Sequence, residues 1–221
     1  ILSVSLAAST ALPLTPTAEA APMRLNQGEE IQTQRLSCSL GFIDNGTRTA
    51  YTAKHCGSNG ETVYVKRGGK HIPIGRLVHV QGSADYAKIK LYGGIQGSNR
   101  FTGNRIYATP FPGETICMYG NTTKRVTCTR MLFSDPGRLE IRTGTGAVVQ
   151  KGDSGGPAWV PGKGYVGVIS TKFRFYGIHT SGVTHHAPAG NSRVGLALHR
   201  REDFPQRILL NKPPAQQQTK P

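Results

Sequence analysis

The 221-residue chain carries 27 lysines and arginines against 12 acidic residues, a formal charge of +15, with 37% hydrophobic residues and 28 glycines. This composition excludes a disordered polyelectrolyte and fits a turn-rich globular protein, and the length suits one large all-β domain or two small halves packed together. The charge favours weak adsorption to anionic surfaces, whereas 7% aromatics and no recognisable motif give no ground for a specific nucleic-acid partner.

Residues 1–14 are apolar and small, and 15–21 end in Ala18-Glu19-Ala20-Ala21. That is the pattern of a signal-peptide core followed by a small-residue cleavage site, too short and too rich in Ser and Thr to span a bilayer. The expected organisation is a partial signal peptide at 1–21, an N-terminal segment at 22–36, two halves at 37–100 and 101–200, and a Pro/Gln-rich tail at 201–221. A secreted, extracellular, monomeric protein follows.

The four cysteines fit that compartment. Cys38 and Cys56 bracket a first hairpin, and Cys117 and Cys128 bracket a Gly-Asn-Thr-Thr loop. Neither pair has the close Cys-x-x-Cys spacing of a zinc site, so disulfides are expected and no metal; other connectivities stay open. Each loop closure contributes about 3 kcal/mol.

Short alternating runs predict strands at 38–43, 48–52, 62–66, 72–80 and 87–91, with Asp44-Asn45-Gly46 and Arg67-Gly68-Gly69 as hairpin turns. A second series is predicted at 105–107, 115–119, 126–131, 139–142, 158–160 and 165–170, and a helix at 193–198. So many short strands pack as two antiparallel halves meeting near 94–104.

Chemistry concentrates in Gly152-Asp153-Ser154-Gly155-Gly156-Pro157. A serine hydroxyl needs a base to take its proton and donors to hold the oxyanion formed after attack. Flanking glycines let the backbone turn tightly, so the N–H groups of Gly152 and Ser154 can point into one small volume. Alone, the run also reads as an ordinary surface turn. It is not alone: Thr52-Ala53-Lys54-His55-Cys56 supplies a histidine beside a half-cystine, and Asp85 heads an alternating strand. Histidine is the usual base and a carboxylate the group that fixes its tautomer.

With His55, Asp85 and Ser154 in that order, the chain resembles the trypsin-like, chymotrypsin-fold serine endopeptidases. It is most similar to their bacterial streptogrisin and alpha-lytic branch, through Cys38-Ser39-Leu40-Gly41-Phe42, Asp85-Tyr86 and Cys117-Met118-Tyr119-Gly120-Asn121-Thr122-Thr123. The resemblance implies an all-β fold of two six-stranded antiparallel barrels with the active site in the cleft between them. It implies Ser154 as nucleophile, His55 as base, Asp85 as its partner, Gly152 and Ser154 as oxyanion donors, protein or peptide substrates, and no cofactor. Val148 falls at the base of the specificity pocket, where an apolar residue favours an apolar substrate side chain. Ser170, Thr171 and Lys172 fall on the strand that pairs with substrate, with Ser170 placed to support Asp85. Relatives often carry an arginine after the first cysteine of the loop to pair with the aspartate before the serine; here Met118 stands there, and Arg125, Arg130 and Arg142 are the candidate partners for Asp153. A third disulfide near the pocket is absent, with Gln150 in place of its first cysteine. The contrasting reading is a secreted basic binding protein on a protease scaffold with weak or no catalysis.

Overall fold

The computed structural model describes residues 22–80, 85–107, 110–135, 140–143, 149–175 and 178–185, with backbone alone at 133–135, 140–143, 171–175 and 178–185. The expected signal peptide at 1–21, the helix at 193–198, the tail at 201–221 and Val148 lie outside the described residues.

The first half holds β1 (Met23–Asn26), β2 (Glu30–Gln32), β3 (Ser37–Ser39), β4 (Phe42–Asp44), β5 (Thr49–Thr52), a 3-10 turn at Lys54–Cys56, β6 (Thr62–Arg67), β7 (Lys70–His79), β8 (Ala87–Leu91) and β9 (Ile95–Ser98). The second holds β10 (Thr115–Tyr119), β11 (Val126–Asp135), β12 (Glu140–Thr143), β13 (Pro157–Val160), β14 (Gly164–Phe175) and β15 (Ile178–His185). These last six close into a barrel in the order β10-β11-β12-β15-β14-β13. In the first half a single sheet runs β3-β2-β6-β7-β8-β5-β4, and β1 pairs separately with β9, in parallel. β3 and β4, at opposite edges of that sheet, are joined only by Leu40 and Gly41. One bent strand therefore serves both edges and completes a ring of six, leaving no long edge exposed. The architecture is the all-β pair of six-stranded units that the resemblance implies.

Local chemistry sets these elements. Gly68 and Gly69, both at positive φ (53° and 80°), make the two-residue turn between β6 and β7. Between β4 and β5, Asp44 accepts from the N–H of Gly46 (2.9 Å) and the hydroxyl of Thr47 (2.7 Å), so the carboxylate organises the hairpin. Along β8 the alternation is clean: Ala87, Ile89 and Leu91 are buried, whereas Lys88 and Lys90 face outward. Two cores result. The first packs Leu40, Phe42, Ile43, Val63, Val65, Leu77 and Ile89 and reaches across to Tyr165 and Val168 of β14; the second gathers Ile116, Met118, Met131, Val160, Val166 and Ile169. Each such side chain contributes about 1.5–3 kcal/mol when fully buried.

Four strands were not legible: β1, β2, β9 and β15. β9 is short and contains Gly97, which reads as a turn residue; in place it packs so closely on Ile43 that a Cβ would overlap that side chain. The strand predicted at 105–107 is reduced to one bridge, Ile106 to Tyr165, because its ladder bonds stop at Tyr107 N–H to Tyr165 carbonyl (2.7 Å) and Tyr165 N–H to Arg105 carbonyl (2.9 Å).

Candidate active site

Register brings His55 and Asp85 together. Thr52 pairs with Ala87 in the antiparallel β5–β8 ladder, so the residues just beyond β5 lie against those just before β8. There the 3-10 turn Lys54–Cys56 carries His55, and Asp85 approaches it. Oδ1 of Asp85 accepts the main-chain N–H of His55 at 2.9 Å, and Oδ2 lies 2.6 Å from its Nδ1. An ionised carboxylate only accepts, so Nδ1 holds the proton and Nε2 is left as the free base. Ser170, buried on β14, donates its hydroxyl to the same Oδ2 at 2.6 Å. The Cys38–Cys56 disulfide ties the residue after His55 back to β3.

The electrostatics follow from these contacts. The hydrogen bond with Asp85 raises the His55 pKa above 6.5, with burial opposing. For Asp85, burial pushes upward, but the hydrogen bonds from His55 and Ser170 outweigh it and hold the carboxyl below its ordinary 3.8. The pair therefore favours imidazole protonated at Nδ1 beside a carboxylate.

Ser154 sits in the turn between Val149 and β13. Its carbonyl accepts the Ser39 N–H at 2.8 Å and lies 3.8 Å from Cys56 Sγ, so the turn abuts the residue next to His55. Its hydroxyl makes no hydrogen bond among the described residues, and none to His55. Gly152 has φ +95° and Gly155 φ +85°, which only glycine adopts without strain. The N–H groups of Gly152 and Ser154 likewise have no acceptor among the described residues.

Asp153 lies behind this turn, fully buried, and its partners among the described residues include neither Arg125 nor Arg130. Oδ1 accepts the N–H of Thr122 and of Thr123, each at 2.9 Å; Oδ2 accepts the N–H of Gln150 at 2.7 Å and the hydroxyl of Thr123. Among the described residues no cation pairs with it, and Arg130 donates instead to the Gly113 carbonyl (2.6 Å). The side chain of Arg142 lies outside the described residues. Four donors among the described residues satisfy the buried carboxyl because each of its oxygens can accept two bonds. Gly120 makes room: a Cβ there would overlap Asp153. The second disulfide, Cys117–Cys128, links facing residues of β10 and β11 at the base of this loop.

On β14, Val168 is the last residue paired with β13, at Pro157. Beyond Ile169, β14 keeps only β15 as a ladder neighbour among the described residues, through Thr171 and Lys172. The backbone at 170–172 thus presents an edge next to the Ser154 turn. The sequence named His55, Asp85, Ser154 and Ser170 as candidates, of which the structure brings His55, Asp85 and Ser170 into hydrogen-bond contact; the sequence did not single out Ser39, Thr122 and Thr123 as supports of the Ser154 turn.

No family model matches the chain. Uncharacterized proteins of two Mycobacterium tuberculosis strains, CDC 1551 and H37Rv, are each 28% identical over 158 residues, covering 65% of this chain and 70% of theirs. Among solved structures, an alpha-lytic protease homolog, N4, superposes with a TM-score of 0.58 at 20% identity over 76% of this chain and 95% of its own. Thermobifida fusca protease A gives 0.57 at 19% identity, over 73% and 91%. Cellulomonas bogoriensis chymotrypsin gives 0.56 at 23%, over 74% and 92%. The fold is the chymotrypsin-like double β-barrel of bacterial serine proteases.

Proposed function

We propose that the chain is a secreted serine endopeptidase that hydrolyses peptide bonds through an acyl-enzyme. The observation that carries this reading is the pairing of His55 Nδ1 with Asp85 at 2.6 Å beside a serine turn whose two N–H groups are unoccupied. His55 Nε2 takes the proton of Ser154 Oγ as that oxygen attacks the substrate carbonyl carbon, and the N–H groups of Gly152 and Ser154 receive the oxyanion. The imidazolium, stabilised by Asp85, gives its proton to the leaving amine. Water then attacks the ester by the same route, regenerating Ser154.

Substrate peptide adds as a strand along the free edge at 170–172, with main-chain bonds giving affinity and the pocket giving choice. Val148 at the pocket base selects an apolar side chain, since it offers no charge to recruit Lys or Arg. The chemistry needs no metal or organic cofactor. Two disulfides suit an oxidising compartment, in keeping with the apolar leader at 1–21, and the monomer adsorbs weakly to anionic surfaces through its net charge.

The test pairs casein hydrolysis with fluorophosphonate labelling of the purified secreted protein. The parent should cleave and be labelled at Ser154, and Ser154→Ala should lose labelling and about a million-fold in kcat. A basic binding protein without catalysis would leave Ser154 unlabelled. Undiminished cleavage after Ser154→Ala would end the protease reading.

A further inference from the structure

The Ser154 turn is held almost entirely from behind. Peptide by peptide, the Asp153 N–H donates to the Gln150 carbonyl (3.0 Å), the Asp153 carbonyl accepts from Gly156 N–H (3.0 Å), and the Gly155 N–H donates to the Ile169 carbonyl (2.7 Å). The carbonyls of Gly152 and Ser154 are both held by one residue of the first barrel. Ser39 donates its hydroxyl to the Gly152 carbonyl at 2.8 Å and its main-chain N–H to the Ser154 carbonyl at 2.8 Å. Its Oγ also accepts the N–H of Asn121 at 2.9 Å, which commits the hydroxyl proton to Gly152. Its own carbonyl accepts Thr52 Oγ1 at 3.0 Å, three residues before His55.

Ser39 is wholly buried, and each of its polar groups ends on a segment that carries or supports catalytic machinery. The Gly152 bond matters most. Glycine at φ +95° has no side chain to restrain it, so the orientation of its peptides depends on what their carbonyls bond to. The Gly152 and Ser154 carbonyls fix the peptides on either side of the one that carries the Ser154 N–H, and the Gly152 carbonyl also limits the rotation that aims the Gly152 N–H; neither N–H has an acceptor among the described residues.

We propose that Ser39 is a positioning residue for this reaction: its hydroxyl, through the Gly152 carbonyl, holds the two oxyanion donors in the geometry that receives transition-state charge. The inference rests on the protease reading above and places control of the oxyanion site in the opposite barrel from the nucleophile.

Ser39→Ala removes the hydroxyl and keeps the main-chain bonds. Misplacing oxyanion donors costs up to about 100-fold, so kcat should fall by about 10- to 100-fold while KM stays within about two-fold. Affinity for a peptidyl trifluoromethyl ketone, whose hemiketal oxygen occupies the oxyanion position, should fall in proportion to kcat. Affinity for the cleaved product peptide should not. Thr102→Ala is the control, since Thr102 is buried and its hydroxyl bonds Gln27 and the Gly103 carbonyl but no residue of the turn; it should melt lower with parental kcat. A kcat loss in Thr102→Ala equal to that in Ser39→Ala would reduce Ser39 to general stability and overturn the proposal. So would parental kcat and inhibitor affinity in Ser39→Ala, with the protease reading intact. A parent protein that neither cleaves nor labels would sink both. If Ser39→Ala does not fold, amide exchange in the parent decides: Asn121 should be protected throughout, and Gly152 and Ser154 should gain protection only when the hemiketal forms. Exchange at those two amides unchanged by the inhibitor would refute the assignment.

Discussion

Thr123→Val tests how much a single hydroxyl contributes to holding the buried Asp153. Asp153 is fully buried, and of its four donors three are main-chain N–H groups that any substitution leaves in place. The fourth is the hydroxyl of Thr123, the only side chain among them. Valine keeps the shape and turns a methyl toward Oδ2, so one charge-assisted bond is lost and one lone pair is buried unmet. Hydrogen bonds to charged groups are worth about 1.5–3 kcal/mol, so a loss of about 2 kcal/mol is expected. For a chain of this size that lowers Tm by about 4–8 °C. Because the same carboxylate braces the Ser154 turn, kcat should drop by about ten-fold with KM nearly constant, and Thr123→Ser should restore both quantities. Thermal melts followed by circular dichroism, with kcat on a chromogenic peptide, read the two effects together. A Thr123→Val protein as stable and as active as the parent would show that the three N–H groups suffice and that the hydroxyl is idle.

Asp85→Asn should lower kcat about 10⁴-fold by favouring the wrong tautomer, and should also move the acid limb of kcat/KM. His55 must be neutral to act as base, and its bond with Asp85 raises its pKa above 6.5, so activity is lost as pH falls through that raised value; without the carboxylate the limb shifts to lower pH, and an unmoved limb contradicts the pairing. In stability, the raised His55 contributes fully below pH 6.5 and fades as pH rises through its folded pKa, while the lowered Asp85 contributes above pH 3.8 and fades as pH falls through its own; melts of Asp85→Asn should lack both dependences. Gly155→Ala should abolish soluble expression, because its Cβ would overlap Thr52 Oγ1 and the Ser39 carbonyl at φ +85°. Gly93→Ala, with open space around its Cβ, should stay within about 0.5 kcal/mol of the parent; equal behaviour of the two would disprove the close approach of the barrels at Gly155.

The difference between what could and could not be read from the sequence is physical. His55, Asp85 and Ser154 were legible because each sits in a short run whose neighbours have their own conformational signature: glycines for the turn, a half-cystine, a strand with period two. Ser170 was legible only through the resemblance. Ser39 and Thr123 were not, because a hydroxyl signals nothing until a fold chooses its partner. The bonds from Ser39 to Gly152 and from Thr123 to Asp153 span 113 and 30 residues, and no local pattern encodes either. The arginine sought for Asp153 shows the same limit from the other side. Sequence suggests opposite charge for a buried acid, yet the loop 120–123 supplies two N–H groups and a hydroxyl at the right place, and backbone donors leave no mark in composition.

That arrangement has a consequence for how the two halves cooperate. Here the turn is fixed from two sides: Asp153 through the 120–123 loop, and the Gly152 and Ser154 carbonyls through Ser39 of the first barrel. Ser39 is also bonded to Thr52 at the end of the strand leading to His55. Any separation of the barrels that moves β3 would therefore disturb the Ser154 turn and the strand leading to His55 in the same displacement. On the proposed protease reading, catalytic geometry and barrel contact then form one cooperative unit, so variants that loosen the contact should lose kcat before they lose the fold.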